Sequence, residues 1–298
     1  MGAVHPDYPR HPRLSSFSMF VEKFFTSHDG TQRYLIRLSD GELIESVLIP
    51  RHDRSTLCIS SQVGCGLGCA FCLTGQLGFT RDLTFHEMIL QVLLMLNGTM
   101  GRFSVVLMGM GEPLQNYESV MRAIHFFHDD HGLRLPMSRI TISTAGLVPA
   151  IEQLAAEPLF PNLSISLTGV TNRTRDALMP INRKYPIEAV MDTVRKLPPS
   201  RQKRVMFECV MIKGLTDSIE DAETLSQLVR GMRVKVNLIP LNAADEIPFE
   251  RPGDDMILRF QEILVRNGTA TFIRKNRGND VSSACGQLKN RIFSGSLS

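Results

Sequence analysis

The sequence predicts an α/β fold in which a mostly parallel sheet, open or rolled into a barrel, is covered by helices. Strand-like apolar runs alternate with helical patterns over most of the chain, and the helical stretches carry their own start signals. A length of 298 residues with 43% hydrophobic content suffices for one large α/β domain with small additions, not for a multidomain scaffold.

The first element is a small β module. Residues 31–50, TQRYLIRLSDGELIESVLIP, alternate apolar and polar on either side of Asp40-Gly41, a dipeptide that tight hairpin turns favour. The run around Cys58 is the first strand of the main sheet. FSVVLMG at 103–109, RITIST at 139–144, NLSISL at 162–167, RVMFECVM at 204–211, VKVNLI at 234–239 and ATFIR at 270–274 supply the others.

Thr84-Phe85-His86-Glu87 reads as a capping box, followed by Met88, Ile89, Val92, Leu93 and Leu96 on one helix face and Gly98 as its stop. Residues 218–230 repeat the pattern, with Leu225, Leu228 and Val229 inward and Gly231 beyond the end. Asp254 is read as the cap of a last helix carrying Met256, Ile257, Phe260, Ile263 and Leu264. From Asn276 onward, NRGNDVSSACGQLKNRIFSGSLS loses periodicity and gains Gly, Ser and Asn, so a mobile tail holding one cysteine is expected. The division is therefore 1–51 for a short segment with the hairpin, 52–275 for the main domain and 276–298 for the tail. No solenoid repeat or low-complexity stretch interrupts it.

Composition narrows the function classes. A formal charge of +3 is too weak to announce a nucleic-acid binder, so any RNA argument must come from local clusters. No run of eighteen apolar residues occurs, and the start, MGAVHPDYPRHPRLSS, has no apolar signal core; a cytoplasmic protein without membrane partners is expected. Three of the six cysteines fall within eight residues, which points to metal or catalysis in a reducing compartment and not to a secreted disulfide framework.

Cys65, Cys69 and Cys72 form C-x3-C-x2-C in the glycine-rich loop GCGLGCAFC, directly after the first strand of the main sheet. Three thiolates are one short of the four that close a [4Fe–4S] cube, so one iron keeps an open position. S-adenosylmethionine (SAM) can chelate that iron through its amino and carboxylate groups, where one electron from the cluster breaks a carbon–sulfur bond. The glycines let the backbone wrap closely around the inorganic core. Two other readings stand beside this one: three buried cysteines on a helix, which Gly64, Gly66 and Gly68 oppose, and a structural zinc site completed by Cys58 or Cys285.

The motif, with Phe71 before its last cysteine, resembles the signature of the radical SAM superfamily. TLCISSQVGC (56–65), LMGMGEPLQN (107–116), the ISLT to LMPINRKYPI stretch (165–187), NLIPLN (237–242) and RGNDVSSACGQL (277–288) together resemble the RlmN/Cfr family of radical SAM RNA methyl synthases, from about Ile44 to Leu288. The resemblance implies a partial (βα)6 TIM-like barrel with the cluster at its mouth. It implies that Cys65, Cys69 and Cys72 hold the cluster, that Gly111 and Glu112 bind the SAM amino group, and that Ser143, Ser166 and Asn242 contact its ribose and carboxylate. Thr168 stands where the family has histidine in Ser-Leu-His, keeping a hydroxyl and losing an imidazole.

The family's chemistry implies roles for two more cysteines. Adenine carbons C2 and C8 are poor nucleophiles and accept no methyl cation, whereas a carbon radical can add to them. One SAM methylates Cys285; a second is cleaved, and the methyl carbon on Cys285, now a radical, adds to the base. Cys58 resolves the adduct, Glu45 accepts a proton, and Cys58 and Cys285 end as a disulfide that outside reductant reopens. Read from the residues alone, Cys58 is also a small hydrophobe on a strand, the reading preferred for Cys209, and the tail is also a frayed terminus.

The implied partners are an RNA substrate, 23S ribosomal RNA or transfer RNA methylated on adenosine, and a small reductase such as flavodoxin or ferredoxin. RGNDVSSACGQL is closer to the C2 branch of the family than to the C8 branch. Cations gather at Arg173, Arg175, Arg183 and Lys184, at Arg195, Lys196, Arg201, Lys203 and Arg204, and at Arg274, Lys275, Arg277, Lys289 and Arg291, where they can neutralise phosphates or simply face solvent. Family members carry a larger N-terminal accessory domain, whereas fewer than twenty residues precede the β module here, so a short member is expected. Two competing functions are a radical SAM enzyme that abstracts hydrogen from a protein or small molecule, without need of Cys58 or Cys285, and a zinc-stabilised RNA-binding module.

Overall fold

The structure, a computed structural model, describes residues 19–96, 101–242, 244, 246–275 and 277–288. Gly98, Lys289 and Arg291, and with them the segments 1–18 and 289–298, lie outside the described residues.

The hairpin forms as its pattern requires. Strands β2 (Gln32–Arg37) and β3 (Leu43–Pro50) pair antiparallel across the Asp40-Gly41 turn, with Gly41 at φ 91°. A strand absent from the sequence reading, β1 (Phe20–Thr26), adds to β2. Strand β4 (Ser55–Ile59) pairs antiparallel with β3, so the boundary expected after residue 51 falls within one continuous sheet.

The chain then makes a two-stranded hairpin, β5 (Gln62–Cys65) with β6 (Gly78–Asp82), around the short helix α1 (Leu73–Gln76). Helix α2 (Phe85–Leu96) follows, its capping box present as read: Glu87 N donates to Thr84 Oγ1 at 3.2 Å and Thr84 N to Glu87 Oε2 at 2.8 Å. Met88, Ile89 and Val92 are buried, but Leu93 is 44% exposed and Met95 takes the inward position.

Strand and helix then alternate: β7 (Phe103–Leu107), α3 (Tyr117–His128), β8 (Ile140–Thr144), α4 (Val148–Ala156), β9 (Asn162–Ser166), α5 (Asn172–Leu178), α6 (Ile187–Lys196), α7 (Pro199–Gln202), β10 (Val205–Met211), α8 (Ile219–Leu228), β11 (Lys235–Pro240), α9 (Asp254–Arg266) and β12 (Ala270–Ile273). Helix α9 starts with Gly253 at the N-cap; Asp254 is its first helical residue, where a carboxylate favours the N-terminal dipole without capping it.

Apart from the β5–β6 hairpin, the described strands form one ten-stranded sheet in the order β1-β2-β3-β4-β7-β8-β9-β10-β11-β12, in which β4 and β7 to β12 run parallel. This makes seven parallel strands, one more than the six of the expected barrel, and β12 and β1 remain as edges. Strand periodicity divides each strand between two layers. On β10, Val205, Phe207, Cys209 and Met211 are buried in the core, whereas Glu208 and Val210 face the concave side and its cavity. Cys209 is thus a core residue, as read. Helices α2 with α3, α4 with α6 and α8 with α9 pack over the outer layer.

Residues 277–288 form no long helix or strand, but they are docked. Ser27 Oγ donates to Asp280 Oδ1 at 2.6 Å, Leu73 N to the Gly286 carbonyl at 2.8 Å and Thr74 Oγ1 to the Leu288 carbonyl at 2.7 Å, and Ala284 and Leu288 are buried. Among the described residues no helix is long and apolar enough to cross a membrane.

Candidate active site

The site is built on the hairpin. Gly64 sits at φ 75°, and a Cβ there would lie 2.0 Å from the Gly78 carbonyl oxygen, so only glycine lets β5 and β6 close and present Cys65 at the strand end. The glycine requirement comes from this crossing; Gly68, by contrast, has nothing within 4 Å of its Cβ position. Ala70 N donates to the Leu178 carbonyl at 2.9 Å and Cys72 N to the Cys69 carbonyl at 3.1 Å, fixing the loop against α5. Cys72 stands at the N-cap of α1. Burial pushes the Cys65 thiol up to about 11 and raises Cys69 and Cys72 as well.

Across the cavity, Gly111 sits at φ 104°, where a Cβ would be 2.6 Å from the Gln62 Cβ. Gln62 Oε1 accepts from Glu112 N at 2.8 Å. The Glu112 carboxylate accepts from Leu114 N at 3.0 Å and Ala145 N at 2.8 Å, yet burial still pushes its pKa up to about 7. Cys58, Cys65, Cys69, Cys72, Gly111, Glu112, Ser143, Ser166, Asn242 and Cys285 all line this one cavity, as do Glu208 and Arg274.

Two expected residues do not line it. Glu45 is fully buried with its carboxylate 3.3 Å from Arg33 Nη1, because a carboxylate on the buried face of β3 needs a cation beside it. It shares its strand face with Val47 and Ile49, which do reach the cavity. Thr168 is buried at φ 35°, a strained conformation for threonine, in the turn after β9, and its hydroxyl has no hydrogen-bond partner among the described residues. It contributes to the turn and not to the cavity wall.

Similarity to known proteins decides what this arrangement belongs to. The profile of the Radical SAM superfamily matches residues 59–226. The chain is 44% identical over 280 residues to the dual-specificity RNA methyltransferase RlmN of Geobacter sulfurreducens, covering 94% of this chain and 77% of that one. With the RlmN of Pelobacter propionicus it shares 45% identity over 264 residues, 89% of this chain and 76% of that one. The chain belongs to the RlmN/Cfr family of radical SAM RNA methyltransferases. A crystal structure of a radical SAM methyltransferase from Sphaerobacter thermophilus superposes with a TM-score of 0.88 at 42% identity, covering 92% of this chain and 82% of that one.

The family's cofactors are a [4Fe–4S] cluster and SAM, and the residues present fit both. Three thiols on one loop, Cys65 buried and Cys69 and Cys72 half-buried, are the donor set of a cluster with an open iron, whose charge would remove the thiol protons that burial otherwise retains. Glu112 is a fixed acceptor pair for an ammonium, and Asn242 Oδ1 is buried with no hydrogen-bond partner among the described residues, ready to accept from a ligand.

At the other end of the cavity, burial pushes the Cys58 thiol up to about 12. Cys285 adds to that rise and Arg274 opposes it, and the pKa of Arg274 is raised in turn by its electrostatic interaction with Cys285 and Glu208. All six cysteines are free, so the implied disulfide between Cys58 and Cys285 is absent here.

Two cations that the sequence groups with phosphate-neutralising residues, Arg175 and Arg274, take other places in the structure, and one carboxylate, Glu208, escaped the sequence reading. Arg175, grouped with surface cations, is fully buried: its Nε donates to Asn182 Oδ1 at 2.8 Å, its Nη1 to the Leu167 carbonyl, and burial lowers its pKa to about 10. Glu208 and Arg274 meet at 3.5 Å inside the cavity. For Glu208 the signal was present, a carboxylate in the middle of the apolar run RVMFECVM.

Proposed function

We propose that this protein methylates an adenosine of RNA at carbon C2, with Cys285 as methyl carrier and Cys58 as resolving thiol. The observation that carries this reading is the placement of Cys58 and Cys285, far apart in sequence, on the wall of the cavity that also holds Cys65, Cys69, Cys72 and Glu112. A radical enzyme that only abstracts hydrogen needs neither thiol there.

In this reading Cys65, Cys69 and Cys72 hold the cluster. Glu112 and the Gly111 backbone receive the amino group of SAM, and Ser143, Ser166 and Asn242 receive its ribose and carboxylate. When bound, the cluster supplies the electron for reductive SAM cleavage. The Cys285 sulfur first attacks the methyl carbon of SAM, forming a C–S bond as the sulfonium bond breaks. The adenosyl fragment of a second SAM takes one hydrogen atom from that methyl group and leaves as 5′-deoxyadenosine; the carbon then adds to C2 of the base, and the unpaired electron of the adduct would return to the bound cluster. The family resemblance gives Glu45 the proton of the modified carbon; buried beside Arg33 behind the cavity wall, it would receive that proton by relay or after a shift of its side chain. The Cys58 thiolate attacks the Cys285 sulfur, the bond from sulfur to the former methyl carbon breaks with its electron pair left on that carbon, which takes up a proton to become the product methyl group, and the transient disulfide is reopened by reductant.

Arg173, Arg183 and Lys184 are exposed on and just after α5, the helix whose Leu178 carbonyl holds the cluster loop, and they suit RNA phosphates at the cavity rim. The substrate class is 23S ribosomal or transfer RNA. The electron donor is a flavodoxin- or ferredoxin-type reductase, and the compartment is the cytoplasm. Incubation of a cluster-loaded Cys58→Ala variant with SAM and RNA tests the scheme: RNA becomes covalently attached to Cys285. Release of free, fully methylated RNA by that variant removes Cys58 from the mechanism.

A further inference from the structure

A row of polar side chains crosses the cavity-facing side of the sheet. Ser166 on β9, Glu208 on β10 and Asn237 on β11 are direct register partners in parallel strands, so their side chains emerge side by side. Arg274, just beyond β12, is brought over the same row because its backbone N–H donates to the Leu238 carbonyl at 2.8 Å.

A carboxylate only 5% exposed within a strand is costly unless paired. The pairing here is loose. Arg274 Nη1 lies 3.5 Å from Glu208 Oε1 and Asn237 Nδ2 3.4 Å from the same oxygen, whereas closed arginine–carboxylate pairs sit at roughly 2.7–2.9 Å. Both contacts fall on Oε1, and both charged residues line the cavity. The pair therefore holds opposite charges next to each other without saturating them, with acceptor and donor capacity directed at a ligand.

Position in the cavity says which ligand. Glu112 acts electrostatically on Cys65 and Cys69, the cluster end. Glu208 and Arg274 act on Cys58, and Arg274 is most strongly influenced by Cys285. The pair lines the same cavity as Cys58 and Cys285, the two thiols to which the proposed function gives the transferred carbon, and the substrate base must lie beside those thiols.

We infer that Glu208 and Arg274, braced by Asn237, form the pocket that reads the Watson–Crick edge of the target adenine. Glu208 accepts from the exocyclic N6 amine and Arg274 donates to N1, the ring nitrogen beside C2. The inference rests on the function proposed above and adds the groups that choose the base. A 6-oxo purine reverses both contacts: O6 places an acceptor against the carboxylate, and N1–H places a donor against the guanidinium. A site built to hydrogen-bond one pattern rejects the reversed one because its buried polar groups are left unpaired.

The test uses cluster-loaded enzyme and two synthetic RNAs that differ only in adenosine or inosine at the target position, and compares kcat/KM for methylation. Wild type prefers adenosine. Glu208→Gln, whose amide can also donate to O6, reduces the adenosine-to-inosine ratio roughly tenfold or more. Arg274→Lys, which loses the planar fork, also reduces it, and keeps the test in force should the first variant fold poorly. A ratio unchanged in both variants overturns the inference. So does a loss of S-methylation at Cys285 that matches the loss of RNA methylation, since the pair then serves the ribose of SAM. A wild type that methylates neither RNA removes the proposed function itself, and this inference with it.

Discussion

The side-chain amide of Asn242 donates to the backbone carbonyl of Cys285 at 3.0 Å. Asn242 lies just past β11 and lines the cavity, with its Oδ1 left for a ligand, so in the proposed function one side chain joins the residues that receive SAM to the segment that carries the methyl-accepting sulfur. Asn242→Ala releases that segment and removes the ligand contact together. The expected result is a roughly tenfold or greater slowing of methyl transfer from SAM to Cys285, followed with radiolabelled SAM in the absence of RNA. A wild-type rate in the variant would show that the hydrogen bond does not position Cys285.

Gly64→Ala separates a geometric requirement from a chemical one. The new methyl group falls 2.0 Å from the Gly78 carbonyl at a φ of 75°, so the hairpin must open and Cys65 must leave its place at the end of β5. The expected cost is about 2 kcal/mol or more, with iron content after anaerobic reconstitution well below that of wild type. Gly68→Ala, with open space at its Cβ position, pays only for its φ of 64° and retains more iron. Equal iron in the two variants would contradict this account of the hairpin.

Arg175 holds the turn after β9 from inside. Its guanidinium serves the Ser166 and Leu167 carbonyls and Asn182, and no water reaches it to replace those bonds. Arg175→Met keeps most of the volume but leaves these acceptors unpaired. A loss of about 3 kcal/mol is expected, which corresponds to a fall in Tm of roughly 5 °C by scanning calorimetry. A Tm within a degree or two of wild type would mean that the buried cation is not structural.

Cys58 is a thiol at neutral pH. Burial raises its pKa to about 12, with Cys285 adding to the rise and Arg274 opposing it, so the thiolate fraction grows tenfold per pH unit all the way to that value. Alkylation of Cys58 by iodoacetamide should climb from roughly pH 8 to 10 without levelling off, whereas an ordinary exposed thiol levels off near about 9. A plateau for Cys58 near pH 9, located by peptide mapping, would refute the assigned burial.

The order of strands and helices was readable because periodicity and capping chemistry are local. The capping box at Thr84 and Glu87 formed as spelled out, and every strand read from residue 103 onward is present within a residue or two. Tertiary context decided what was not readable. Leu93 fits an apolar stripe but faces solvent, since α2 turns Met95 inward instead. The β5–β6 hairpin was hidden because Gly64 and Gly78 interrupt its alternation at the very positions the crossing needs. Of the site, the motif residues were legible as types at fixed spacing. Composition alone could not show that residues 277–288 dock against the hairpin loop and β module, or that Arg175 is interior while Arg173 is not. Glu208 and Arg274 belong to no motif used here; they meet only because β10, β11 and β12 are neighbours.

The central claim is that Cys285 carries the methyl group. Protein purified without oxygen from cells containing their own RNA should yield a peptide spanning Cys285 whose intact mass is greater by one methyl group, localised to that sulfur by fragmentation. An unmodified Cys285 in an iron-loaded protein that nevertheless cleaves SAM would contradict the account, and would leave hydrogen abstraction from another substrate as the reaction of this cavity.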